Sequence, residues 1–157
     1  MSQHLSRIEW QRAAHPTEAD TFSRNHAATL NGGQTVKLSS AVDYKGDPDA
    51  ADPEQMLLTA LASCHMLTFL AVAEVKGLRV ERYVDNPVAH LEKNAEGRMA
   101  VTRIDLSPQV SFSGDNQPDA EALDKLHASA HRNCFIAHSI TSKVTVTPAW
   151  RGSPGCT

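Results

Sequence analysis

The stretch DPEQMLLTALASCHMLTFLAVAEVKG, residues 52–77, decides the fold. It opens with strong helix punctuation. Asp52 stands at the N-cap, Pro53 at the first helical position, Glu54 in the first turn and Gln55 at N3, where it completes a capping box. The helix is predicted to run to about Lys76, with Gly77 as the residue that ends it. From Gln55 to Ala73 no residue carries a formal charge, over 19 positions. That is about the length of a bilayer span. Gln55, Thr59, Ser63, His65 and Thr68 interrupt the apolar run, however, and its flanks show no positive bias. The stretch therefore reads as a central helix, apolar almost all round, that other elements must cover.

On its N-terminal side, Ser6–Arg12 is short and mixed, while Phe22–Leu30 and Gln34–Val42 flank Asn31-Gly32-Gly33. A turn of that kind between two strand-like runs predicts a β-hairpin. Asp43–Asp52 is a polar loop rich in Asp, Gly and Pro. On the C-terminal side, Arg79–Lys93 and Arg98–Phe112 alternate apolar and polar residues about Asn94-Ala95-Glu96-Gly97, which predicts two long strands. After the loop Gly114–Pro118, a helix is expected from Pro118 to about His131. Its apolar face is Ala122, Leu123, Leu126 and Ala130. Asn133 begins a shorter helix containing Cys134, Phe135, Ile136 and Ile140, and Lys143–Thr147 is a final strand.

Strands and helices are grouped rather than alternating, so the fold class is α+β, with antiparallel sheets around the long central helix. Residues 1–150 read as one domain, and 151–157 as a disordered tail. A single sheet cannot cover so apolar a helix. Surface bookkeeping therefore predicts a homodimer in which two such helices lie side by side.

Composition narrows the function. The 157 residues are 41% hydrophobic and 21% charged, as in an ordinary globular protein. The net charge of −3 and the absence of Lys/Arg runs argue against a nucleic-acid partner. Three cysteines do not make a secreted disulfide framework, and MSQHLSRIEW has no apolar leader, so a cytoplasmic location with free thiols is expected. No cofactor is expected, and no membrane partner.

Cys64 lies in the middle of the apolar helix. By itself that position favours inert core packing, because burial raises a thiol's pKa. An ordinary thiol of pKa ~8.5 is only a few per cent thiolate at pH 7. Lowering it by about two units takes roughly 2.7 kcal/mol of preferential thiolate stabilisation. Cys134 falls at or just inside a helix start, where free N–H groups favour a thiolate. The 70 residues between the two cysteines say nothing about whether they meet.

The run Asp52-Pro53-Glu54-Gln55-Met56-Leu57-Leu58 through Ala62-Ser63-Cys64 resembles the signature of the OsmC/Ohr family (osmotically inducible protein C and organic hydroperoxide resistance protein). A Pro-Glu pair opens the central helix there, with a Cys ten residues after the Glu. Asn133-Cys134-Phe135-Ile136 occupies the place of that family's second Cys, and the element order matches over about residues 5–149.

The resemblance implies a cysteine-based peroxidase acting on a small-molecule hydroperoxide. Cys64 would become a sulfenic acid, Cys134 would condense with it to a disulfide, and an external dithiol would reduce the disulfide. It also implies that an Arg and a Glu hold the thiolate. Glu54 matches the Glu. Arg24 is the best candidate for the Arg, with Arg7 and Arg12 as alternatives. Glu54 and Cys64 lie ten residues apart on one helix, roughly 15 Å along its axis, so Glu54 could serve only the Cys64 of a second subunit. A composite site in a two-fold dimer fits this. Without the resemblance, Glu54 is equally a first-turn residue favoured by the helix dipole.

The sequence departs from that family's usual pattern at Phe135, where Pro commonly follows the second Cys, and at His131 and His138, which flank Cys134. Those histidines raise a rival reading, in which His131, Cys134 and His138 bind zinc with Cys64 or His65. Cys156 reads as incidental. The expected substrate pocket is lined by Leu61, Met66, Leu67 and Phe135, an apolar surface suited to an organic tail. A non-catalytic ligand-binding or redox-sensing module on the same fold is the alternative.

Overall fold

A computed structural model describes residues 1–149. The tail expected to be disordered, and Cys156 within it, lie outside the described residues. The order of elements is the expected one, with shorter strands. The chain groups into two compact units, Met1–Met56 and Leu57 onward. The helix α1 (Pro53–Val75) continues unbroken through that boundary.

In the N-terminal unit, β1 (Arg7–Glu9), β2 (His26–Thr29) and β3 (Thr35–Leu38) form an antiparallel sheet in the order β1-β2-β3. The Asn31–Gly33 turn closes the hairpin. Gly32 and Gly33 take φ of 71° and 72° there, a left-handed pair that side chains resist. After β3 the chain makes a tight loop in which Gly46 N–H bonds the Ala41 carbonyl. A Cβ on Gly46 would sit 1.5 Å from the Ser40 carbonyl oxygen, so only glycine fits.

The capping box of α1 forms as expected. Gln55 N–H donates to Asp52 Oδ1 (2.8 Å), and Asp52 N–H donates to Gln55 Oε1 (3.1 Å). The far end closes as a Schellman motif. Leu78 N–H reaches the Ala73 carbonyl and Gly77 N–H the Glu74 carbonyl, each at 3.0 Å, with Gly77 at φ 67°.

In the second unit the two long predicted strands are each broken in two. They give β4 (Arg79–Val84) with β5 (Val88–Lys93), and β6 (Met99–Leu106) with β7 (Gln109–Ser113). The breaks fall at Pro87 and Pro108, which cannot donate to a ladder. Asp85 ties them together by accepting the Ser107 N–H at 2.8 Å. β4 pairs antiparallel with β7, and β5 with β6. β8 (Lys143–Val146) joins β6 in parallel, while the other pairs of these strands are antiparallel. The helical segment between β6 and β8 supplies the crossover that a parallel pair needs.

The helix α2 (Ala120–Asn133), capped by Asp119, and the single turn α3 (Phe135–His138) complete the unit. α1 carries a stripe of fully buried residues, Leu61, His65, Phe69 and Ala73, at four-residue spacing. Phe69 and Ala73 pack with Leu78, Leu126 and Ala130, against Val80, Tyr83, Val110 and Phe112 of the β4–β7 sheet. Leu61 packs with Ile104, Leu106 and Cys134, against Ala89 and Val144 of the β5-β6-β8 sheet. The central helix thus joins two small cores.

By length and composition α1 could cross a membrane, with a mean hydropathy of 1.9. The buried stripe gives it the role of a core helix instead. Its opposite face is bare. Ala60, Ser63, Leu67, Ala71 and Val75 are exposed, Leu67 to 59% and Val75 to 88%. The expectation that the helix is covered on most sides is therefore not met within one chain.

Candidate functional site

The site is assembled from the middle of α1 and the junction of α2 with α3. α2 ends because Cys134 leaves helical geometry (φ −75°, ψ 115°), and that residue then serves as the N-cap of α3. The turn brings the Cys134 side chain against Cys64. Cys134 is fully buried, Cys64 half-buried, and both are free thiols. Asn133 is held in this corner by a bond from its Nδ2 to the Ser129 carbonyl at 2.9 Å.

The two sulfurs have opposite electrostatics. Burial pushes Cys64 up, but hydrogen bonds from the Ile136 N–H, the Cys134 thiol, the Phe135 N–H and the Thr68 hydroxyl outweigh it. Together they hold the Cys64 thiol below the ordinary cysteine range. Cys134 is pushed up to about 11, first by burial, then because its own S–H is engaged by Cys64, whose negative charge adds to the effect. The Ala137 and Ile136 N–H groups oppose that rise without cancelling it. When the pair holds one proton, that proton therefore sits preferentially on Cys134.

Cys64 opens onto a cavity of about 570 Å³. Its walls include Ala60, Leu67, Ala71, Phe135 and Ile136, with Thr68 beside the sulfur. Of the pocket residues expected from sequence, Leu67 and Phe135 are in place. Leu61 is not, because it is only 1% exposed and faces the core. Met66 instead lines a separate pocket with Tyr83 and Asp85. A helix turns about 100° per residue, which carries these two neighbours off the Cys64 face.

Arg24 and Glu54 belong to the N-terminal unit. Arg24 Nη1 bonds Thr21 Oγ1 at 3.1 Å and the Phe22 carbonyl, and its guanidinium lies 3.8 Å over the Phe22 ring. Glu54 is half-buried, and its Oε2 is buried with no hydrogen-bond partner among the described residues. Of the alternatives, Arg7 pairs with Glu9 at the surface and Arg12 is exposed.

The zinc reading finds no such centre. Among the described residues no three His, Cys, Asp or Glu side chains come together as a metal site. His138 Nε2 donates to the Arg132 carbonyl at 2.8 Å. His65 is turned away from Cys64 and meets His127, Nε2 to Nδ1 at 3.0 Å, with ring planes 6° apart. Both rings are at most 2% exposed, and burial pulls both down to about 4. Sequence reasoning missed this pair, since 62 residues separate its members. His65 shares the four-residue spacing of the buried stripe, and that was the available signal.

These elements define an α+β protein in which a long helix presents one cysteine to a second at a helix junction. The chain belongs to the OsmC-like protein family, whose sequence model matches residues 46–149. An OsmC-like protein of unknown function from Vibrio cholerae is 37% identical, with a TM-score of 0.88 over 95% of this chain and 100% of its own. An organic hydroperoxide resistance protein from Legionella pneumophila superposes with a TM-score of 0.68 at 18% identity, over 96% of this chain and 98% of its own, so it shares the fold. The uncharacterized protein YmaD of Bacillus subtilis is 28% identical over 131 residues, 78% of this chain and 82% of its own.

Proposed function

We propose that this chain is a thiol-dependent peroxidase that reduces organic hydroperoxides. The observation that carries the proposal is the contact of an acidified, half-buried Cys64 with a proton-retaining Cys134 beside an open apolar cavity. The Cys64 thiolate attacks the distal peroxide oxygen and the O–O bond breaks. The alkoxide takes a proton and leaves as an alcohol, and Cys64 becomes a sulfenic acid. The Cys134 sulfur then attacks the Cys64 sulfur, water leaves, and a Cys64–Cys134 disulfide forms. An external dithiol returns both residues to thiols by exchange. The apolar walls reward burial of an organic tail, which favours alkyl hydroperoxides over hydrogen peroxide.

The bare face of α1 supports a homodimer, in which a second copy covers Leu67, Ala71 and Val75. In that assembly Glu54, with its unpaired buried oxygen, and Arg24 complete the partner subunit's site. A cytoplasmic location, where dithiol reductants are at hand, belongs to the same reading.

The test is mass spectrometry without reductant after one equivalent of cumene hydroperoxide. The expected product has lost two hydrogens, with the linkage mapped to Cys64 and Cys134. Unchanged mass after prolonged exposure overturns the proposal and assigns the cavity to ligand binding.

A further inference from the structure

Phe135 is the first residue of α3 and follows Cys134 in sequence. Its backbone is anchored. The Phe135 carbonyl accepts the Ser139 hydroxyl at 2.9 Å, and the Ser139 N–H closes the turn on the Ile136 carbonyl, also at 2.9 Å. From this anchored turn the side chain projects with little packed on it. The ring is 80% exposed, although it stands in the wall of the cavity onto which Cys64 opens. An aromatic side chain of the core hides most of its area, whereas this one leaves that area to water until something in the cavity covers it. The rest of the wall is small or aliphatic. α1 supplies Ala60, Ser63, Leu67 and Ala71, which share a face by their three- and four-residue spacing, and the α2–α3 junction supplies Ile136. Phe135 is the one aromatic side chain among the described residues that line the cavity. The volume of about 570 Å³ suits a compact organic molecule.

We infer that Phe135 is a specificity-determining residue whose ring selects hydroperoxides bearing an aryl group on the carbon that carries the peroxide. Cys64 and Phe135 line the one cavity, so that group meets the ring while the O–O bond lies at the sulfur. An aryl group packs on Phe135 in offset or edge-to-face contact, which an aliphatic group of equal bulk does not supply. Beyond simple burial, such a contact is worth a preference of about two- to tenfold. The aliphatic part of the wall rewards burial of either tail alike. Discrimination between the two therefore falls to Phe135.

The inference rests on the peroxidase reading, with Cys64 as the reacting thiol. Turnover is compared for cumene hydroperoxide and its ring-saturated counterpart, 2-cyclohexyl-2-propyl hydroperoxide, which differ in aromaticity at nearly equal bulk. Phe135→Leu keeps an apolar side chain without a ring, and Phe135→Tyr keeps the ring. The exposed position gives either variant few packing contacts to lose. In Phe135→Leu the ratio of kcat/KM for the aryl over the cyclohexyl substrate is expected to fall about fivefold from the native ratio. Phe135→Tyr is expected to hold the native ratio within about twofold. A second readout needs no peroxide. The corresponding alcohols, 2-phenyl-2-propanol and 2-cyclohexyl-2-propanol, are titrated as protectants of Cys64 against iodoacetamide, with the Cys64 peptide quantified by mass. The preference for the aryl alcohol is expected to fall in Phe135→Leu by the same factor. Equal ratios in native and Phe135→Leu protein, or a Phe135→Tyr ratio that follows Phe135→Leu, overturn the inference. So does a lack of protection by either alcohol. Equal ratios together with a changed elution volume of Phe135→Leu on size exclusion overturn it in favour of a contact between two copies of the chain. If peroxide leaves the protein unoxidised while alcohol protection still depends on Phe135, the peroxidase reading fails and the aryl preference of the cavity stands.

Discussion

Cys64 packs against the fully buried Cys134, and Cys134 is the weaker acid of the two. The asymmetry comes from position. Cys64 collects two backbone N–H groups from the first residues of α3, whereas Cys134 is sealed in the core with the Cys64 charge against it. With Cys134 held to about 11, roughly one part in a thousand is thiolate at pH 8. Limited alkylation at that pH should therefore label Cys64 and leave Cys134 intact, as read by peptide mass. Replacing Cys134 by Ala removes a donor and should raise the Cys64 pKa, measured from thiolate ultraviolet absorbance.

Turnover separates the two roles. Cys64→Ser should abolish reduction of cumene hydroperoxide in a dithiol-coupled assay. Cys134→Ser should permit one oxidation, leaving a product heavier by one oxygen, and then stall. Full activity in Cys64→Ser would refute the mechanism.

His65 and His127 predict an acid limit to stability. Both are lowered from 6.5 to about 4 in the folded protein, chiefly by burial. The unfolded chain therefore binds more protons between these values. Their contribution is present in full above pH 6.5 and is lost as the pH falls to about 4, by a few kcal/mol in total. Denaturant titrations across this window should show it. The double variant His65→Leu/His127→Leu should lose less stability over the same interval, since it has no imidazole to protonate and leaves neither partner unpaired.

Two glycines should respond differently to alanine. At Gly77 the added Cβ meets nothing within 4 Å, so only the φ of 67° opposes it, at about 1–2 kcal/mol. At Gly46 the Cβ would collide with the Ser40 backbone and force the loop to move. Gly46→Ala should cost more than Gly77→Ala by chemical denaturation. Asp52→Ala, which removes half the capping box, should cost about 1 kcal/mol by the same measurement.

The chain's local signals were legible where a few neighbouring residues decide the outcome. Asp52, Pro53 and Gln55 begin α1 as read, and Gly77 ends it. The strand breaks at Pro87 and Pro108 were equally local but were passed over, because apolar-polar alternation runs through both. The parallel pairing of β8 with β6 carries no local mark, since a strand's pattern is the same in either direction.

At the site, sequence named both cysteines, and its family resemblance gave them roles. Composition and spacing alone pointed Cys64 to the core. What sequence by itself determined is the central helix, its ends, and the α+β order that carries the OsmC-like family pattern, because caps, turns and periodicity act over a few residues. The acid strength of Cys64, the reluctance of Cys134 to ionise and the burial of His65 against His127 were decided by tertiary structure. They depend on which N–H groups, sulfurs and rings are brought together across tens of residues, and on how much water is excluded there.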